Sequence, residues 1–219
     1  MIPMLNDIHP ALQHVKDAMN AADSSLNSTI QALERAEQLW GKDDRVIQFR
    51  ELVAKRGDTI YDYRIEDHLT ASAIVLNAKT NKILMTFHPW YKLWLQLGGH
   101  DKVKAPLHNP VAVAAMEAWE ESGIDDLLIC DWPLRVDPHE AFACKSASGA
   151  THNHHYDIAY LVIAQTEHFK MSDESERMAW FSLDELESLV TQGHAQQRAL
   201  DMARNAIELS ARLQHRQAS

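Results

Sequence analysis

The residues best placed to do chemistry are three glutamates, Glu117, Glu120 and Glu121. On a helix at about 100° per residue, their i, i+3, i+4 spacing puts all three on one face. Ala112, Ala115, Ala118 and Trp119 then fall on the opposite face, free to pack on a sheet. Carboxylates stacked on one stripe repel each other, by about 0.2–0.5 kcal/mol per pair on a solvated helix. A bound divalent cation reverses that sign, and hard cations such as Mg²⁺ prefer carboxylate and phosphate oxygens. The stripe alone reads either as a site for Mg²⁺ or Mn²⁺ or as a solvated acidic face. Two features favour the site: Gly98-Gly99 upstream and Gly123 as a stop downstream.

A second group of residues surrounds this one. The run Thr151-His152-Asn153-His154-His155-Tyr156-Asp157 is rich in imidazole. If a strand begins at residue 155, His155, Asp157 and Ala159 share one face, and Tyr156, Ile158 and Tyr160 the other. Such a cluster can ligate a transition metal or donate to a substrate phosphate. His100, next to the diglycine, is a further substrate-facing residue. Trp90, Tyr91 and Trp94 could stack on a base, or fill a core. Lys92, Lys102 and Lys104 could neutralise phosphate, or sit in solvent.

Several elements must position these groups. Leu69–Leu76 and Lys82–Phe87 read as strands joined by a short hairpin connection, and Trp94–Leu97 as a third strand stopped by the glycines. Pro110 opens the glutamate helix, where proline is tolerated, and Gly123 suits its end. Further strands are expected at 127–131, 139–145 and 155–164. Ser182 with Glu185 forms a capping-box pattern that starts a helix at Leu183, and a last helix covers about 195–215. Upstream, Leu26, Ile30, Leu33 and Trp40, then Val46, Phe49, Leu52 and Val53, recur at helical spacing, with a break at Gly41–Asp44. Residues 1–65 thus read as a helical extension, serving as a cap or as the arm of a homodimer. Residues 66–219 read as the main domain, an α+β sandwich.

Composition narrows the partners. A net charge of −10 excludes bulk attraction to a nucleic-acid backbone. The two cysteines, Cys130 and Cys144, make no disulfide framework, and a reduced cytoplasmic setting is expected. The N-terminus lacks the pattern of a signal peptide, and no apolar run reaches the ~20 residues of a membrane span.

The stretch 98–124 resembles the Nudix box, G-x5-E-x7-R-E-U-x-E-E-x-G-U, where U is aliphatic. Gly98-Gly99, Glu117, Ala118, Glu120, Glu121, Gly123 and Ile124 stand where the pattern places them. Trp180, Phe181, Glu185 and Leu186 are similar to a W-F-x-x-x-E-L segment of many members. Two positions depart. Met116 replaces the arginine before the first glutamate, and His108 stands at the earlier glutamate, in a loop three residues longer than the consensus. The Gly-Gly-His-Asp form with a longer loop resembles a known subgroup.

The resemblance implies an α/β/α sandwich with a mixed sheet, and hydrolysis of a diphosphate bond in a nucleoside diphosphate linked to another moiety. It implies Glu117 and Glu121 as metal ligands, Glu120 as ligand or water-activating base, and the Gly98 carbonyl as a further ligand. A later loop carboxylate is also implied; Asp173, Glu174 and Glu176 qualify, with Glu174 preferred. Lys92, His100 and His155 are expected to meet the substrate. Two alternatives stand beside this reading: a non-catalytic nucleotide-binding domain, suggested by Met116, and an isomerase of isopentenyl diphosphate, whose chemistry needs a cysteine that only Cys144 can supply.

Overall fold

A computed structural model describes residues 11–20, 25–102, 106–141, 144, 153–170, 176–190 and 194–217. The strands are β1 (Leu12–His14), β2 (His68–Asn77), β3 (Lys82–His88), β4 (Leu93–Leu95), β5 (Leu97–Gly99), β6 (Leu127–Glu140), β7 (His154–Ala164) and β8 (Arg177–Phe181). The helices are α1 (Val15–Asn20), α2 (Leu26–Trp40), α3 (Asp44–Arg56), α4 (Pro110–Ser122), α5 (Leu183–Leu189) and α6 (His194–Gln217), with a 3-10 turn at Gly57–Tyr61. The strands form one sheet in the order β1-β6-β7-β2-β3-β4, with β5 also on β2 and β8 on β3. β2 and β7 are parallel and the other pairs antiparallel, so the sheet is mixed.

The strands alternate their side chains between two cores. Ala71, Ala73 and Val75 of β2 and Ile158, Tyr160 and Val162 of β7 join a cluster with α1, α2, α3 and α4. Ile74, Leu76, Ala159, Leu161 and Ile163 face the other way, into a cluster with α5 and α6. Helices on both faces make the α/β/α sandwich, and β2, buried at every position, is its centre.

The N-terminal helices share the first of these cores. Leu33, Phe49 and Ile60 have no exposed surface, and Phe49 meets Tyr156 of β7 edge-on at 5.3 Å. β1 adds a strand to the sheet edge by pairing with β6. This packing changes the environment of α4. The expected one-sided burial gives way to burial on most sides, with Val113, Ala114 and Met116 enclosed along with Ala112, Ala115 and Ala118. The reason is that α1 packs against α4, as β2 also does.

Two strand assignments differ from the sequence reading. The third strand is in fact two, β4 on β3 and β5 on β2, and the second includes both glycines. The expected strand at 127–131 and the first two residues of the one at 139–145 belong to one strand, β6, with register shifts around Pro133; residues 142, 143 and 145 lie outside the described residues. Proline lacks the N–H a regular ladder requires, so a bulge rather than a break absorbs it. β1 and β8 lack a sequence signal of their own, because both are short strands.

Candidate functional site

Local chemistry fixes α4 at both ends. Asn109 caps its first turn, its Oδ1 accepting from the N–H groups of Val111 (3.0 Å) and Ala112 (3.3 Å), and Pro110 follows at the first helical position. Gly123 ends it in the left-handed conformation (φ 61°). The preceding loop is organised by Asp101, which is buried. Its Oδ1 accepts from the N–H of Lys102 (2.9 Å) and Leu107 (2.8 Å), and its Oδ2 from that of His108 (2.7 Å).

Glu117, Glu120 and Glu121 line a single cleft of about 1410 Å³, together with Gly98, Gly99, His100, Lys102 and His155. Both glycines are dictated by close approach. Gly98 has φ 150°, and a Cβ there would lie 2.7 Å from the Ala71 carbonyl oxygen. A Cβ on Gly99 would lie 2.8 Å from Glu117 Oε1, so the Glu117 carboxylate rests against the glycine α-carbon. Lys102 Nζ pairs with Glu120, with 2.6 Å to Oε2. Met116, in the box arginine's place, is enclosed in the core, so the cation beside the glutamates is Lys102. The Glu117 carboxylate beside the bare Gly99 backbone, with Glu120 and Glu121 lining the same cleft, offers oxygen donors of the kind a hard divalent ion takes.

The cleft floor is the polar half of a sheet face. His68, Thr70 and Ser72 on β2 lie in register beside β7, with His68 opposite His155 and Thr70 opposite Asp157. The buried Asp157 Oδ1 accepts from the hydroxyls of Thr70 and Ser72, both at 2.9 Å. Burial pushes its carboxyl above the usual range, against the lowering effect of His139 and of these hydroxyls. His100 Nε2 lies 3.1 Å from His68 Nε2 and 3.3 Å from His155 Nε2. Burial and the neighbouring His68 take the His100 imidazole down to about 4. Burial, with His100, His68 and His139 nearby, takes His155 down to about 2. At neutral pH both rings are uncharged. Cys144 Sγ lies 3.8 Å from Nε2 of both His68 and His100, and burial raises its thiol, which is the wrong direction for an activated nucleophile.

The remaining expected residues divide. Lys92 is not among the described residues lining the cleft; its Nζ donates to Glu176 Oε1 at 2.7 Å. Glu174, Asp173, Lys104 and His152 lie outside the described residues. His154 Nδ1 is 3.0 Å from Asp67. Trp90, 81% exposed, and Tyr91 line the cleft, whereas Trp94 packs between Phe87 and Phe181. Sequence reasoning passed over His68, Thr70, Ser72, Arg64 and Arg198, the last four of which line the cleft. The first three carried a signal: polar residues at every second position of an otherwise apolar strand.

No protein-family model matches the chain, and no curated protein matches it. Among solved structures it is similar to a NUDIX-family hydrolase from Clostridium perfringens, with 23% identity over 65% of this chain and 97% of that one and a TM-score of 0.46. It is similar to the E. coli dihydroneopterin triphosphate pyrophosphohydrolase, with 18% identity, coverage of 64% and 92% and a TM-score of 0.45. The C. elegans Ap4A hydrolase aligns with 15% identity, coverage of 66% and 97% and a TM-score of 0.46. What the chain is similar to over about two thirds of its length is thus a set of proteins described as hydrolases.

Proposed function

We propose that the protein is a Nudix-type pyrophosphohydrolase, which hydrolyses the diphosphate bond of a nucleoside diphosphate linked to another moiety. The observation that carries this reading is the convergence of Glu117, Glu120 and Glu121 with the diglycine in one cleft, the Glu117 carboxylate lying against the Gly99 α-carbon. Bound Mg²⁺ or Mn²⁺ would polarise phosphoryl oxygens and lower the pKa of a water. The chain's own part is to hold the carboxylates in place and to bring the diphosphate to them. Glu117 and Glu121, with the Gly98 carbonyl, are the proposed ligands. Glu120 is proposed as ligand or base, and its pairing with Lys102 orients its carboxylate.

The cleft suits an extended polar substrate. It exceeds the ~300–1,000 Å³ of ordinary small-molecule pockets. Arg64, Lys102 and Arg198 line it and bring positive charge to a diphosphate. Trp90, exposed on the wall, offers a face for a base. No described helix is long and apolar enough to cross a membrane. Both cysteines are free, which suits the reducing cytoplasm in which we place the protein.

The deciding experiment is a panel of nucleotide sugars, dinucleotides and nucleoside triphosphates, assayed with and without Mg²⁺ or Mn²⁺. Metal-dependent release of a nucleotide product is expected, with Glu120→Gln and Glu121→Gln each slower by about 10²- to 10⁴-fold. Turnover unchanged from the parent in both variants would refute the assignment. Met116 favours a second reading, since no arginine supports the glutamates from that position. Tight nucleotide binding without metal-stimulated turnover would establish a binding domain instead.

A further inference from the structure

His68, His100, Cys144 and His155 are far apart in the chain: at the start of β2, just after β5, in the β6–β7 connection and near the start of β7. One ligand atom from each nonetheless lies within 4.8 Å of all the others. A tetrahedral zinc ion, with bonds of ~2.05 Å to nitrogen and ~2.3 Å to sulfur, spaces two nitrogens ~3.3 Å apart and a nitrogen and sulfur ~3.6 Å apart. His100 Nε2 lies 3.1 and 3.3 Å from the other two nitrogens, and Cys144 Sγ lies 3.8 Å from both His68 and His100; the remaining two separations, of His155 from His68 and from Cys144, are within 4.8 Å.

Hydrogen bonding alone accounts poorly for this convergence. His68 Nδ1 lies 2.7 Å from the Ile65 carbonyl oxygen, which only accepts, so Nδ1 carries the proton and Nε2 a bare lone pair. His100 has a single N–H at most to share between two neighbouring imidazoles. An Nδ1–H held by a backbone carbonyl is also the arrangement that orients a metal-ligating imidazole. Cys144 is held on its other side, its carbonyl accepting from Asn153 Nδ2 at 2.7 Å.

We propose that His68, His100, His155 and Cys144 bind one transition-metal ion of the zinc class in a closed tetrahedral site. Four protein ligands leave no open coordination position, so the ion is structural: it ties the β6–β7 connection to β2 and to the loop after β5. The site is independent of the hydrolase reading, since imidazole and thiolate select a softer ion than the glutamate cluster does.

The test is spectroscopic and does not use activity. Metal-free full-length protein is titrated with Co²⁺ in excess Mg²⁺, which saturates the all-oxygen cluster. The expected result is one Co²⁺ per chain with the intense visible absorption of a tetrahedral ion and a thiolate-to-cobalt charge-transfer band, both abolished by stoichiometric Zn²⁺. Cys144→Ser removes the charge-transfer band. His155→Ala weakens Co²⁺ binding by more than the ~100-fold that loss of a supporting partner costs. Zn²⁺ raises the Tm of the parent but not of Cys144→Ser, and far-ultraviolet circular dichroism verifies that each variant is folded. If His155→Ala does not fold, the Cys144→Ser spectrum decides alone. A weak octahedral spectrum in the parent, or a charge-transfer band unchanged in Cys144→Ser, would overturn the proposal.

Discussion

At the scale of single residues, the two glycines before α4 look equivalent in sequence and are not equivalent in structure. Gly98→Ala forces a side chain into a left-handed backbone against the β2 main chain, so it should lower Tm by several degrees. Gly99→Ala meets the far end of a flexible side chain, the Glu117 carboxylate. It should leave Tm close to the parent value while weakening Mg²⁺ activation at least tenfold. A thermal melt and a metal titration of both variants check this contrast, and equal effects would refute it. The glutamates and the diglycine were legible in sequence because helical period and turn chemistry are local. The imidazole–thiol cluster was not legible, because strand register across the sheet assembles it. His155 was noticed for its histidine neighbours, yet His152 lies outside the described residues and His154 pairs with Asp67. His68, one of the cluster's true members, stood unremarked at the head of a strand.

At the scale of elements, the cleft rim depends on a buried ionic knot between β6 and α6. Asp137, 4% exposed, meets Arg135 at 3.0 Å, Arg198 at 2.9 Å and His139 at 3.2 Å. Burial raises its pKa, but the His139 hydrogen bond and the charges of Arg135 and Arg198 outweigh this and hold it below the usual carboxylate value. A carboxyl depressed in the folded state contributes stability that is present above its unfolded pKa and lost as pH falls through its folded one. Asp137→Asn should therefore cost on the order of 3 kcal/mol at pH 7. The difference from the parent should shrink as the pH falls below 3.8, the ordinary carboxylate value. Urea melts at pH 7 and pH 3 measure it, and a pH-independent difference would exclude the linkage. This knot was hidden from sequence because the expected strands stopped at 131 and resumed at 139, whereas β6 runs unbroken from Leu127 to Glu140.

At the scale of the whole molecule, residues 1–65 read as a helical cap or dimer arm, and helices α1–α3 contribute to one of the two cores. Leu33 and Phe49 have no exposed surface. Phe49→Ala should cost about 3–5 kcal/mol and lower the whole transition rather than detach the N-terminal helices. Tryptophan fluorescence and far-ultraviolet circular dichroism should report one coincident melt. Two separate transitions would show that the helices fold independently. Amphipathic spacing revealed that these helices exist, but not the surface that each one covers, which depends on contacts distant in the chain.

The parallel pairing of β2 with β7 has a consequence in time. His68 and His155 are direct neighbours in that register. Side chains alternate with a period of two, so a slip of one residue would send His155 to the opposite face. The two partners are 87 residues apart, as are Thr70 and Asp157 in the same ladder, so their pairing closes a long loop and is intrinsically slow. A chain refolding in the presence of cobalt would therefore colour only after its central strands had met in the correct frame, and the colour would act as a clock for that pairing.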